Sequence, residues 1–149
     1  MRALQAAGYC VPEDISITGS MISNYVKKKI INNPVKKQYN RDQIAALIFI
    51  AVAKSVLSLD NIHMMFEIQR QTYDNETAYN YFCQEFEQVL WHVFQLDMAD
   101  ARKDTDHNTK KEHGTFSNEK TMLCNMIITV AHKIYLDRYF SLLRDEDTI

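Results

Sequence analysis

The chain has 149 residues, 46% hydrophobic and 24% charged, a balance that excludes a disordered chain and allows one ordinary core or a small core with a helical extension. Three glycines and two prolines leave few tight turns, so the composition favours long helices over a many-stranded sheet. The net charge of −2 hides an uneven distribution: Ile15 to Arg41 holds six basic residues and no acidic one, and the remainder holds 11 basic and 19 acidic. Such a basic island points to a local polyanion contact or to a solvated lysine-rich face.

Met1 to Gly8 reads as the end of a helix that is expected to begin further upstream. It lacks the apolar core and cleavage pattern of a secretory signal. Glu13 to Ile17 reads as a connection. Thr18 is a good N-cap, and a helix from Gly19 to Ile30 would bury Met21, Ile22, Tyr25 and Val26. Asn32, Asn33 and Pro34 break it. Val35 to Tyr39 is short, extended and alternating, as one side of a small wing would be. Asn40 caps the next helix, Arg41 to Leu57. Its apolar run, Ile44 to Ala53, is about half the roughly 20 residues that cross a bilayer, so it reads as a buried helix and no membrane span is expected. Ser58 caps a further helix with Leu59, Ile62, Met65 and Phe66 inward.

Asn75 opens a long helix running to Asp100, with Tyr79, Phe82, Phe86, Val89, Leu90, Val93 and Phe94 at three-and-four spacing. Arg102 to His113 reads as a polar loop. Ser117 caps a last long helix with a buried stripe of Leu123, Met126, Ile127, Val130, Ile134 and Leu142. Two long amphipathic helices joined by a polar loop read as an antiparallel helical hairpin. Cys10, Cys83 and Cys124 form no CxxC pair, so neither a zinc site nor a disulfide framework is suggested; buried thiols suit a reducing cytoplasm, the expected location.

Thr18 to Phe66 resembles the DNA-binding segment of MerR-type regulators. The elements are Met21-Ile22-Ser23-Asn24-Tyr25, Lys27-Lys28-Lys29-Ile30-Ile31, Asn33-Pro34, a wing Val35-Lys36-Lys37-Gln38-Tyr39, the cap Asn40, and a closing helix opening Ser58-Leu59-Asp60-Asn61-Ile62. More closely, the phrases Ser20 to Lys27, Pro34 to Tyr39 and Arg41 to Ala45 are similar to the domain-of-unknown-function 1836 family of bacterial proteins, which implies a regulator without an assigned target. The resemblance implies an all-α, mainly helical fold: a winged helix-turn-helix over residues 1–70, then a helical dimerisation or effector region over 71–149. Three departures stand out. Lys29 occupies the position where MerR-type proteins usually carry Gly, the gap before the recognition helix is longer, and the C-terminal half lacks a single long coiled-coil helix.

A helix entering a major groove needs short polar side chains near its N-terminus. Thr18, Ser20, Ser23 and Asn24 are the expected base contacts, Asn24 first because its amide can pair bidentately with adenine. Tyr25, Lys27, Lys28, Lys36, Lys37 and Arg41 are the expected phosphate contacts. Each has a plainer reading: Thr18 as a cap, Tyr25 and Tyr39 as core aromatics, Ser23 and Asn24 as surface.

No glycine phosphate loop, GxSxG or HExxH occurs, so no enzyme, cofactor or metal is expected. His107 and His113, with Asp104, Asp106 and Glu112, read as a charged loop before a metal site. His92 and His132 read as core histidines, and Met64, Met65, Met98, Met122, Met126 and Trp91 as packing before an effector pocket. The leading expectation is a homodimeric regulator of duplex DNA, with an unknown small-molecule effector left open. A protein-interaction module that never touches DNA is the main rival, and a small-molecule-binding helical domain the third reading.

Overall fold

A computed structural model describes residues 15–94 and 118–146. Among these residues the chain forms five helices and no strand: α1 Gly19–Lys27, α2 Arg41–Ala53, α3 Leu59–Thr72, α4 Asn75–Val93 and α5 Asn118–Glu146. The protein is therefore mainly helical, as its composition suggested. The expectations for Met1–Gly8, for the stretch from 95 to Asp100, for the loop Arg102–His113 and its histidines, for Cys10 and Met98, and for the cap Ser117 lie outside the described residues. No helix among the described residues is long and apolar enough to cross a membrane.

The described residues divide into two units, 15–83 and 84–94 with 118–146. In the first, each helix start is fixed by a nearby side chain. Thr18 accepts from the Met21 amide at 3.3 Å, Asn40 from Gln43 at 2.8 Å, and Ser58 from Asn61 at 3.2 Å. Asp74 accepts from both the amide and the hydroxyl of Thr77, and those bonds hold its carboxyl below the usual range. These caps satisfy amides that a helix start leaves without partners.

The helix ends fall earlier than spacing suggests. α1 stops at Lys27 instead of Ile30, because the Lys29 amide turns back to Val26 and the Ile30 amide to Tyr25, both at 3.0 Å. This paired closure is a Schellman cap. α2 stops at Ala53 instead of Leu57, where the Val56 amide bonds Ala53 in a tighter i→i+3 turn at 3.1 Å.

The core of this unit gathers Tyr25, Ile30, Ile31, Ile50 to Ala53, Ile62, Met65 and Phe82. Phe49 sits edge-on to Phe66 at 5.3 Å and to Phe82 at 5.0 Å, joining α2, α3 and α4. Lys54 donates to the Ser16 carbonyl and lies 3.7 Å from the Met21 sulfur, tying the end of α2 to the entry of α1.

The second unit packs Phe86 and Leu90 of α4 with Met126, Ile127, Val130, Ala131 and Ile134 of α5. Phe94 and Tyr135 meet edge-to-face at 5.5 Å. Three expectations are corrected here. Leu142 is exposed, not part of the buried stripe, and His92 and His132 are exposed, not core residues. His132 lies on the side of α5 away from the buried row, and His92 on the side of α4 away from Phe86 and Leu90. Cys83 and Cys124 are half-buried and form no disulfide among the described residues.

Candidate functional site

The basic segment begins on α1, whose first turn contains no acidic residue and whose last turn carries Lys27. Tyr25 is buried, and Met21, Ile22 and Val26 are half-buried, so one face of α1 is committed to packing. Ser20, Ser23, Asn24 and Lys27, spaced three or four apart, form the exposed face. That face is polar at its start and basic at its end. The hydroxyls are engaged locally: Thr18 and Ser20 hydroxyls share a 3.0 Å bond, and Ser23 donates to the Gly19 carbonyl at 3.0 Å. The Asn24 amide makes no side-chain bond among the described residues, so it is the group most available to an outside partner.

Tyr25 is placed differently from the other expected contacts. It is 3% exposed, and burial pushes its phenol above the ordinary tyrosine range. Its place in the Schellman closure with buried Ile30 makes it an anchor for the end of α1.

Beyond α1 the backbone takes an unusual course. Lys29, Lys36 and Lys37 have φ of 58°, 50° and 62°, the left-handed region that side chains other than Gly and Asn seldom enter. Lys29 occupies the position after the Schellman-capped helix where Gly is usual. Lys36 and Lys37 are the two central residues of a tight turn. The Val35 amide donates to Gln38 at 3.1 Å, and the Gln38 amide returns to Val35 at 2.9 Å. Positive φ at both central positions marks the type I′ turn that Asn-Gly prefers. Val35–Tyr39 is thus a two-residue turn closed by a single antiparallel bridge, in place of the extended segment read from the sequence.

Gln43 holds the base of this turn. Its side-chain oxygen accepts from the Asn40 amide at 2.8 Å, completing a capping box. Its amide nitrogen donates to the carbonyls of Asn32 at 3.0 Å and Asn33 at 3.2 Å. One side chain therefore clamps the residues before the turn to those after it. Sequence reading found the Asn40 cap but missed Gln43, although Asn-x-x-Gln is a legible capping signature. Gln43→Ala is expected to cost about 1–2 kcal/mol in a urea titration, from one lost cap and two carbonyls returned to solvent. It removes no charge, so any loss of polyanion binding should leave the salt dependence unchanged.

Lys27, Lys28, Lys29, Lys36 and Lys37 are all exposed. Lys28 lies 3.9 Å from Asp60, a solvated pair that neutralises little. Lys27, Lys29, Lys36 and Lys37 make no ion pair among the described residues. Lys29 was not among the expected contacts, and it joins the group. Arg41 stands apart: its guanidinium is 3.4 Å from Glu76, beside the 3.1 Å bond from Asn75 to Asp42. It belongs to a mixed-charge rim around a shallow cleft of about 160 Å³ between α2 and α4, floored by Ile44, Ala45, Ile48 and Tyr79.

These features define a class: a small helical protein that presents uncompensated cations on one short helix and on the tight turn that follows. A family model described as Domain of unknown function (DUF1836) matches residues 6–82, just over half of the chain. The chain belongs to this family. No curated protein and no solved structure matches it.

Proposed function

We propose that this protein is a transcriptional regulator that binds duplex DNA through residues 18–41. In this reading α1 enters the major groove in the manner of a MerR-like recognition helix, and the Val35–Gln38 turn serves as a minimal wing. Asn24 reads a base edge, with Thr18, Ser20 and Ser23 beside it, while Lys27, Lys28, Lys29, Lys36 and Lys37 neutralise phosphates. The observation that carries the reading is the set of three lysines held at positive φ. A backbone position that favours Gly or Asn keeps a long cation at an energetic cost, and strain of that kind gathers at functional sites. Scale supports it too. Lys36 follows Lys29 by seven positions, so the two lie within about 25 Å, less than the ~34 Å of one duplex turn.

Residues 84–146 then supply pairing of two protomers or an effector site. Two modules are needed because one short helix reads too few base pairs for useful specificity. The half-buried thiols of Cys83 and Cys124 suit work in a reducing cytoplasm.

The test is selection from a random duplex library at low and moderate salt. Salt-sensitive retention with an enriched motif is the expected result, and Asn24→Ala should flatten base preference at one position while keeping most of the affinity. No retention at low salt would overturn the proposal. It would promote the rival reading, a protein-interaction module, for which the cleft with exposed Ile44 and Ile48 is the supporting feature.

A further inference from the structure

Residues 15–41 contain no acidic residue, yet the fold sets one against them. Asp60 Oδ1 lies 3.9 Å from Lys28 Nζ, joining the start of α3 to the end of α1. Among the described residues it is the carboxylate that stands within ion-pair distance of the lysines at 27–29, 36 and 37. Its side chain is 93% exposed and makes no hydrogen bond among the described residues.

The start of α3 is already capped without it. Ser58 accepts from the Asn61 amide at 3.2 Å. A carboxylate in a first helical turn is also favoured by the helix dipole, which gives Asp60 a structural use. That use requires no lysine nearby, and it leaves its trace in stability, not in salt-dependent binding.

The position of Asp60 gives it a second effect. The pair is too solvated to hold Lys28 in place, so the lysine still reaches a phosphate. Asp60 is a short side chain on a helical backbone, and its charge stays where the helix puts it. A phosphate oxygen held by Lys28 at about 2.8 Å stands within about 7 Å of the Asp60 carboxylate. That is inside the screening length of ~8 Å at physiological salt, so the two negative charges repel. A like charge set against a partner lowers affinity without any contact of its own.

We infer that Asp60 is an electrostatic brake on this basic face: it weakens the grip of Lys28 and its neighbours on every phosphate backbone alike. Its partner is the duplex of the DNA-binding reading, on which this inference rests. Phosphate charge is the same along any sequence, so the brake sets affinity and leaves base preference to Asn24.

The experiment is fluorescence anisotropy of a labelled random-sequence duplex with the full chain at about 50 and 200 mM salt, with elution from a heparin column as a second polyanion probe. Asp60→Asn and Asp60→Ser, both neutral, are expected to bind about three- to tenfold more tightly than the wild type at the lower salt, with a smaller gap at the higher. Far-UV circular dichroism should show unchanged helicity. Asp60→Glu keeps the charge and should bind like the wild type. Glu67→Gln changes the net charge equally, about 10 Å further along α3, and should stay within about twofold of it. Neutral variants that bind no better than Glu67→Gln, or a gap that ignores salt, would overturn the brake and leave the DNA reading standing. A wild type that binds heparin but no duplex would sink the DNA reading alone. Heparin elution then decides the brake: later elution of the neutral variants supports it, and coincident elution overturns it. No retention of any variant on either polyanion overturns both.

Discussion

Replacing Lys36 by Asn and Lys37 by Gly is expected to make the protein more stable and, at the same time, a weaker DNA binder. Both residues hold positive φ, at 50° and 62°. A left-handed conformation costs an ordinary side chain roughly 1–2 kcal/mol, and Asn-Gly is the pair that a type I′ turn prefers. The two hydrogen bonds between Val35 and Gln38 use backbone groups only, so the turn survives the change. Thermal melts should therefore shift upward by an amount equivalent to about 1–3 kcal/mol. Binding should move the other way. On the proposed DNA-binding reading two phosphate contacts are removed, so the slope of log affinity against log salt should fall by about 2 and affinity should drop on the order of tenfold per lysine. The opposite signs give the experiment its force. A stability gain without an affinity loss would mean that these lysines are merely solvated and that any DNA interface lies elsewhere. An affinity loss without a stability gain would mean that no strain is stored in the turn.

The largest expected effect on the fold comes from Ile62→Ala. Ile62 is fully buried at the start of α3, in the core that also takes Tyr25, Ile50 and Phe82. Truncating a buried Ile costs about 2–5 kcal/mol, from lost transfer energy and the cavity left behind. Domains of this size are stable by only about 5–15 kcal/mol, so the variant should unfold near body temperature or well below the wild-type urea midpoint. Met64→Ala, two residues along the same helix, is the control. Met64 is 62% exposed, and its truncation should change stability by no more than about 0.5 kcal/mol. Equal losses from the two variants would show that this face of α3 is covered by something else in solution.

The features legible in the sequence were those decided within three or four residues. Thr18, Asn40 and Ser58 cap helices where they were expected to, because a cap needs only its own oxygen and the amide three positions on. The buried row Met126, Ile127, Val130 and Ile134 followed from spacing alone. Spacing identifies a face, however, not whether that face is covered. Leu142 fitted the three-and-four pattern and yet is exposed, because α5 has apolar residues on both sides.

The site was legible as charge but not as geometry. The basic island and the exposed Ser23–Asn24 pair could be read directly from the residues. The tight turn could not, because Lys36-Lys37 carries none of the Gly or Asn that normally signals one. Its conformation comes from partners further along the chain: the Gln43 clamp on Asn32 and Asn33, and the bridge between Val35 and Gln38. Tyr25 looked equally suited to packing or to a phosphate, and its burial in the α1 closure places it with the packing.

The same turn bears on how the chain meets proteases. Two adjacent exposed lysines are ordinarily an inviting place for a trypsin-like enzyme to cut. Such enzymes need several residues threaded through their cleft in extended form, and the Lys36-Lys37 pair is bent back on itself by two hydrogen bonds and clamped at its base by Gln43. Cleavage there must wait for the turn to open, an event far smaller than unfolding of the whole unit. The rate of nicking at this one dibasic pair therefore reports the free energy of that local opening, and a polyanion seated on the lysines would slow it by holding the turn shut.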